Sequence, residues 1–135
     1  MTSPLYQIIA HLLQAIENCN KNNNHEWAEQ HRANIVELVE AHMPSGSGFD
    51  DGFSLMFSES TPEKLMFKTE FHHMDENGYY TGWTHHVVTV KPSLVHEFTI
   101  TVSGRNTNNI KAYISELLYA VLKKEYDDIT MEAAV

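Results

Sequence analysis

The feature that most limits the fold is a change of hydrophobic period at residue 53. Before it, apolar residues recur every three or four positions: Leu5, Ile8, Ile9, Leu12, Leu13 and Ile16, then Trp27, Ile35, Leu38 and Val39. That is the spacing of helices with one buried side. From Phe53 the apolar residues alternate, as Phe53-Leu55-Phe57 and then Leu65, Phe67, Thr69 and Phe71, which is the period of strands lying on a core. Helical spacing returns with Ile110, Ile114, Leu117, Leu118 and Val121. Helices in one block, strands in the next and a closing helix predict an α+β fold.

The punctuation between these blocks sets their limits. Pro4 suits an early helix position, and the run Asn18 to Asn24 interrupts the first periodic stretch. A helical hairpin is the simplest reading of residues 1–43, with one long bent helix as the alternative. P-S-G-S-G, Pro44 to Gly48, reads as a loop, and T-P-E, Thr61 to Glu63, as a turn. D-E-N-G, centred on Asn77-Gly78, is a hairpin signature of the primed-turn type. A two-residue turn there pairs Phe71 with Thr84, Thr69 with His86, Phe67 with Val88 and Leu65 with Val90. The apolar positions of both strands then share one face. For the next hairpin a three-residue loop, Pro92 to Leu94, pairs Val88 with Phe98, His86 with Ile100 and Thr84 with Val102. The expected domain is 1–135: helices in 1–43, an antiparallel meander of about four strands in 53–104, a closing helix in 107–124 packed on the core face, and an acidic tail in 125–135.

Nine Lys plus Arg against 18 Asp plus Glu give a net charge of −9. That balance argues against non-specific nucleic-acid binding, which depends on many basic groups neutralising phosphates. It allows a small anion held by a few focused donors, or a basic protein surface. A single cysteine, Cys19, permits no internal disulfide and points to a reducing compartment. There is no basic leader and no apolar run of membrane-spanning length, so a cytoplasmic protein without membrane partners is expected.

The densest chemistry lies in S-G-R-N-T-N-N-I-K-A-Y, Ser103 to Tyr113, where a strand turns into a helix. Free amides and the positive dipole end of a helix favour phosphate or carboxylate there. Arg105 adds a bidentate donor, Asn106 or Thr107 a cap, and Lys111 a second cation one turn on. The expected register sets Arg105 opposite Thr81, so Tyr79, Tyr80 and Trp83 would offer stacking faces beside it. The alternative is ordinary capping, with the aromatics in the core. P-S-G-S-G could likewise form an anion nest, although it lacks the Lys-Ser/Thr ending of a phosphate loop and reads more readily as a connector.

Nine histidines raise the question of a metal. Adjacent histidines point to opposite faces of a strand, so each pair offers one ligand. His86 falls on the core face as a satisfied core histidine. His85, opposite Glu70 and near His72, gives the one constellation with zinc-like character. No nucleophile motif is present, and Asp50-Asp51 reads as a solvated pair beside glycine. The residues imply no enzyme and no cofactor.

The block F-H-H-M-D-E-N-G-Y-Y-T-G-W-T-H-H-V-V-T-V-K-P-S-L, Phe71 to Leu94, followed by I-T-V-S-G-R-N-T-N-N-I-K-A-Y, resembles a group of small proteins encoded by bacteriophages and prophages. P-S-G-S-G-F-D, Pro44 to Asp50, looks like part of the same pattern, and the resemblance spans about residues 40–115. The layout is similar to that of phage anti-Thoeris sponges, which sequester cyclic ADP-ribose-type immune signals. The resemblance implies a homo-oligomeric, non-enzymatic α+β protein of the host cytoplasm that holds a cyclic nucleotide without cleaving it. It also implies a pocket arginine near the start of the last helix, a place Arg105 fills with Asn106 beside it. A further pocket arginine has no clear counterpart, the other arginine being Arg32 in the second helix. A competing expectation is an acidic inhibitor of a host defence protein, or a phage accessory protein without a ligand.

Overall fold

The computed structural model describes residues 3–46, 48–93, 98–105 and 109–124. The acidic tail, Asn106 and Thr107 lie outside the described residues. Helix α1 (Pro4–Lys21) starts where Ser3 accepts the Tyr6 N–H through its hydroxyl at 3.2 Å, with Pro4 in the first turn. It stops in the asparagine run. Asn23 takes φ 57°, a left-handed conformation that asparagine tolerates, and the Asn24 N–H turns back to the Cys19 carbonyl at 2.7 Å. Helix α2 (His25–His42) follows at once, so the hairpin is the observed arrangement.

The buried side of α2 is Ala28, Ile35, Leu38, Val39 and His42. Trp27 was expected on that side but is 58% exposed. It sits one residue before Ala28, about 100° round the helix and off the buried stripe.

Strands β1 (Phe53–Leu55), β2 (Leu65–Met74), β3 (Tyr80–Pro92) and β4 (Phe98–Gly104) form an antiparallel meander in sequence order. Helix α3 (Ile110–Leu122) closes it. The helices share one buried cluster with the inner sheet face: Leu5, Ile9 and Leu13 of α1, Ile35 of α2 and Ile114 and Leu118 of α3 meet Leu65, Phe67, Val88 and Val90. The long apolar stripe of α1 is therefore used within the chain. The outer sheet face, with Lys68, Glu70, His85, Thr101 and Ser103, is exposed or half-exposed. No helix among the described residues is long and apolar enough to cross a membrane.

The β2–β3 register follows the sequence, with Leu65 opposite Val90, Phe67 opposite Val88, Thr69 opposite His86 and Phe71 opposite Thr84. Its turn does not. The Asp75 carboxylate accepts both the Asn77 and Tyr79 amides at 2.9 Å, and the positive φ falls on Gly78 (83°), not on Asn77. The loop thus holds three residues between the paired Asp75 and Tyr79, not the two of a primed turn. The extra residue is absorbed by a bulge: His73 faces Gly82 but Met74 faces Tyr80, leaving Thr81 without a partner.

The β3–β4 register is displaced by four residues from expectation. Val88 faces Val102, His86 faces Gly104, and β3 runs on until Pro92 faces Phe98. An even displacement keeps every side chain on its face, so alternation alone cannot detect it. Arg105 therefore lies beyond the ladder next to the His85 level, not opposite Thr81.

Candidate functional site

Three sequence motifs converge at one end of the sheet: the loop 44–52, the β2–β3 hairpin and the β4–α3 corner. The loop is fastened down. Gly46 and Phe49 exchange backbone hydrogen bonds at 2.9 and 3.0 Å, and the Gly48 carbonyl accepts the His72 N–H at 2.9 Å. Phe49 is buried, edge-on to Phe71 at 5.0 Å and stacked on Tyr113 of α3 at 6.0 Å. The Gly46, Phe49 and Gly52 amides are all engaged inside the loop. The motif works as a clamp between the helices and β2.

On the inner face, polar residues form a chain. His73 Nε2 lies 2.8 Å from Thr84 Oγ1, which lies 2.7 Å from His86 Nε2, and His86 Nδ1 is 3.2 Å from the Ser103 carbonyl. A carbonyl only accepts, so His86 carries its proton on Nδ1 and accepts through Nε2. The Thr84 hydroxyl then donates to His86 and accepts from His73. Burial pushes the His86 pKa below its ordinary 6.5, against the Ser103 hydrogen bond that raises it, with His73, Lys111 and His85 adding smaller downward effects. His86 is the satisfied core histidine expected, although its neighbour on β4 is Gly104, not Ile100. Lys111, half-buried, acts on this inner side of the corner.

The outer face carries a different group. The bulge at Thr81 turns Tyr80 onto the face of Trp83, since residues three apart would otherwise point to opposite sides. Their rings stack at 6.4 Å with 53% and 54% exposure, and Tyr80 also lies 5.8 Å from His72. The Trp83 indole N–H donates to His85 Nε2 at 3.0 Å, and His85 Nδ1 meets Glu70 Oε1 at 3.3 Å. With Nε2 accepting, Nδ1 is the nitrogen that carries the proton towards the carboxylate. His85 is thus engaged on both nitrogens. The ligand-type atoms that do converge belong to Asp51, Glu70 and His72, all within 4.8 Å of one another. Asp51, read from sequence as solvated, enters this group because the clamp loop folds over β2.

Of the residues singled out from sequence, Tyr80 and Trp83 are brought together. Tyr79, 71% exposed, stands at the hairpin tip. Arg105 is exposed beside the His85 level, while Lys111 belongs to the inner side. Helix α3 begins at Ile110 rather than near Thr107, preceded by Asn109 at φ 60° with no side-chain cap. The expected caps, Asn106 and Thr107, lie outside the described residues. Arg32, the second arginine, is at the other end of the sheet. It lines a cleft of about 630 Å³ between α1 and the β1–β2 connection, alongside Glu17 and Glu63. Two glutamates beside one arginine that also pairs with Glu29 do not focus an anion there. Comparison of the chain with protein-family models, with curated proteins and with solved structures found no match.

Proposed function

We propose that this chain is a non-enzymatic counter-defence protein of phage type that sequesters a cyclic ADP-ribose-type nucleotide in the host cytoplasm. The observation that carries the reading is the exposed Tyr80–Trp83 pair, two rings stacked on each other and open to solvent beside Arg105's end of the sheet. Aromatic surface of this kind serves ligands with planar bases, and Arg105 is the donor suited to a phosphate. The resemblance to anti-Thoeris sponges supplies the ligand class. Self-association, also implied by that resemblance, would draw on the same exposed hairpin, because the apolar side of α1 is already covered.

Thermal shift and calorimetry with cyclic ADP-ribose isomers, cyclic dinucleotides, NAD and ADP-ribose test the reading. Ligand at a hundredfold excess over Kd stabilises the native state by about 2.7 kcal/mol and raises Tm accordingly. Trp83→Ala is expected to weaken binding by about 1–3 kcal/mol, the range for one stacked base, and Arg105→Ala to abolish it in a folded protein. A flat panel, or unchanged affinity in both variants, removes the sponge reading.

A second reading is favoured by the same surface. Met74, Tyr79, Tyr80 and Trp83 are all more than half exposed on an acidic chain, a combination that fits a basic defence protein. That reading predicts no small-molecule shift and a partner whose association rate falls steeply with salt.

A further inference from the structure

We propose that Asp51, Glu70 and His72 form a binding site for a divalent transition cation of the zinc class, with His85 and Trp83 positioning Glu70. The inference stands apart from the nucleotide reading and needs no nucleotide for its test.

The first support is convergence. One atom each from Asp51, Glu70 and His72 lies within 4.8 Å of the others, although the residues come from two separate segments. Ligands at about 2.0–2.2 Å from tetrahedral zinc stand roughly 3.3 Å apart, so the group needs to close by no more than about 1.5 Å. Asp51 is exposed at the end of the clamp loop and can make that movement.

The second support is independent of the carboxylates. His72 Nε2 is buried with no hydrogen-bond partner, one of few such side-chain atoms among the described residues. An imidazole nitrogen shut off from water without a partner is unfavourable and invites an explanation. Its backbone is fixed by the Gly48 carbonyl and its ring lies 5.8 Å from that of Tyr80, so the half-buried side chain is held while Nε2 has no polar partner.

The third support is the shell behind Glu70. Metal-binding groups are characteristically oriented by a hydrogen-bonded neighbour that is itself held. Here the order is indole N–H to His85 Nε2, then His85 Nδ1–H to Glu70 Oε1. The chain leaves the other carboxylate oxygen for a cation. Two carboxylates balance the charge of a dication, and the imidazole favours zinc, iron or nickel over magnesium and calcium, which prefer all-oxygen sites. Three protein ligands leave a position for water or an anion.

Calorimetric titration of Zn²⁺ into the purified full chain is the test, with Trp83 emission followed in a Trp27→Phe background. One equivalent is expected to bind, with a change in Trp83 emission. Asp51→Asn and His72→Ala should each weaken zinc at least tenfold, whereas His25→Ala, at the exposed start of α2, should leave it unchanged. Trp83→Phe keeps the ring but loses the indole donor. It should weaken zinc by about tenfold, the lower end for such positioning groups, at unchanged Tm. Asp51 is exposed, so its isosteric change keeps the test valid even where His72→Ala unfolds the hairpin. Absence of stoichiometric binding, or affinity unaltered in folded Asp51→Asn, overturns the proposal. So does equal competition by Mg²⁺.

Discussion

At His86 one backbone carbonyl fixes the protonation of three side chains. Ser103 accepts from Nδ1, so Nε2 must accept from Thr84, and Thr84 must accept from His73. The arrangement holds only while His86 is neutral, and burial lowers its pKa to keep it so. In the unfolded chain the same imidazole titrates near 6.5. Below about pH 6.5 the unfolded state therefore takes up a proton that the folded state refuses, and stability falls until the folded pKa is reached. Above about pH 6.5 the contribution is fully present. Nitrogen-detected NMR should show His86 as the Nδ1–H tautomer at neutral pH, taking up a proton only below the 6.5 of an unperturbed histidine. Thr84→Val should cost about 1–2 kcal/mol in urea unfolding, because two ring nitrogens lose a partner at once. The sequence placed His86 on the core face through strand alternation, and it set His85 opposite Glu70. It could not show that His85 is spent on Trp83 and Glu70, nor that Asp51 replaces it in the cation group. Those contacts arise from a loop folding back across a strand, and no local spacing encodes that.

Among the elements, the β4–α3 corner depends on the absence of one carbon atom. Gly104 has φ 111°, and a Cβ there would lie 2.4 Å from the His85 carbonyl and 2.8 Å from His86 Nδ1. Backbone cannot retreat as a flexible side chain can, and the clash would also strike the histidine relay. Gly104→Ala is expected to cost on the order of 3 kcal/mol or more, roughly 10 °C in Tm for a domain of this size. Gly46→Ala is the matched comparison, since Gly46 also has positive φ (75°) but open space around it. It should lose only about 1 kcal/mol, the conformational penalty alone. Equal losses at the two sites would show that φ, not space, governs the corner. The helices and the β2–β3 pairing were readable because apolar periodicity specifies a face. The β3–β4 pairing was not, because a displacement of four residues leaves the faces unchanged. The hairpin turn was misread for a different reason. Asn77-Gly78 favours a primed turn, but Asp75 captures two amides and draws in one more residue, and the bulge at Thr81 follows. That bulge brings Tyr80 beside Trp83, so the element that departs most from the expected ladder is the one that builds the aromatic surface.

For the whole molecule, the net charge of −9 sets the problem that any anionic ligand must meet. Screening shortens the reach of distant carboxylates to about 8 Å at physiological salt, so the local charges decide. On the aromatic face those include Arg105 at the edge, Lys68 two residues before Glu70 on β2 and, beside Tyr80, the two carboxylates of Asp51 and Glu70. Lys111 acts on the inner side, near His86. Without a cation, Asp51 and Glu70 repel a phosphate approaching the Tyr80–Trp83 pair. With zinc bound they are neutralised, and the open coordination position becomes an anion acceptor. This offers a substitute for the second arginine, which the fold has placed at its far end as Arg32. If both proposals hold, zinc should tighten nucleotide binding, and a chelator should loosen it, by tenfold or more. Asp51→Asn should remove that dependence and, by lifting one of the two repelling carboxylates, raise the zinc-free affinity. Calorimetry with and without one equivalent of Zn²⁺ separates the possibilities. Nucleotide that binds equally in both conditions uncouples the two sites. Nucleotide that binds in neither rejects the ligand reading, and the cation site is then judged by its own titration.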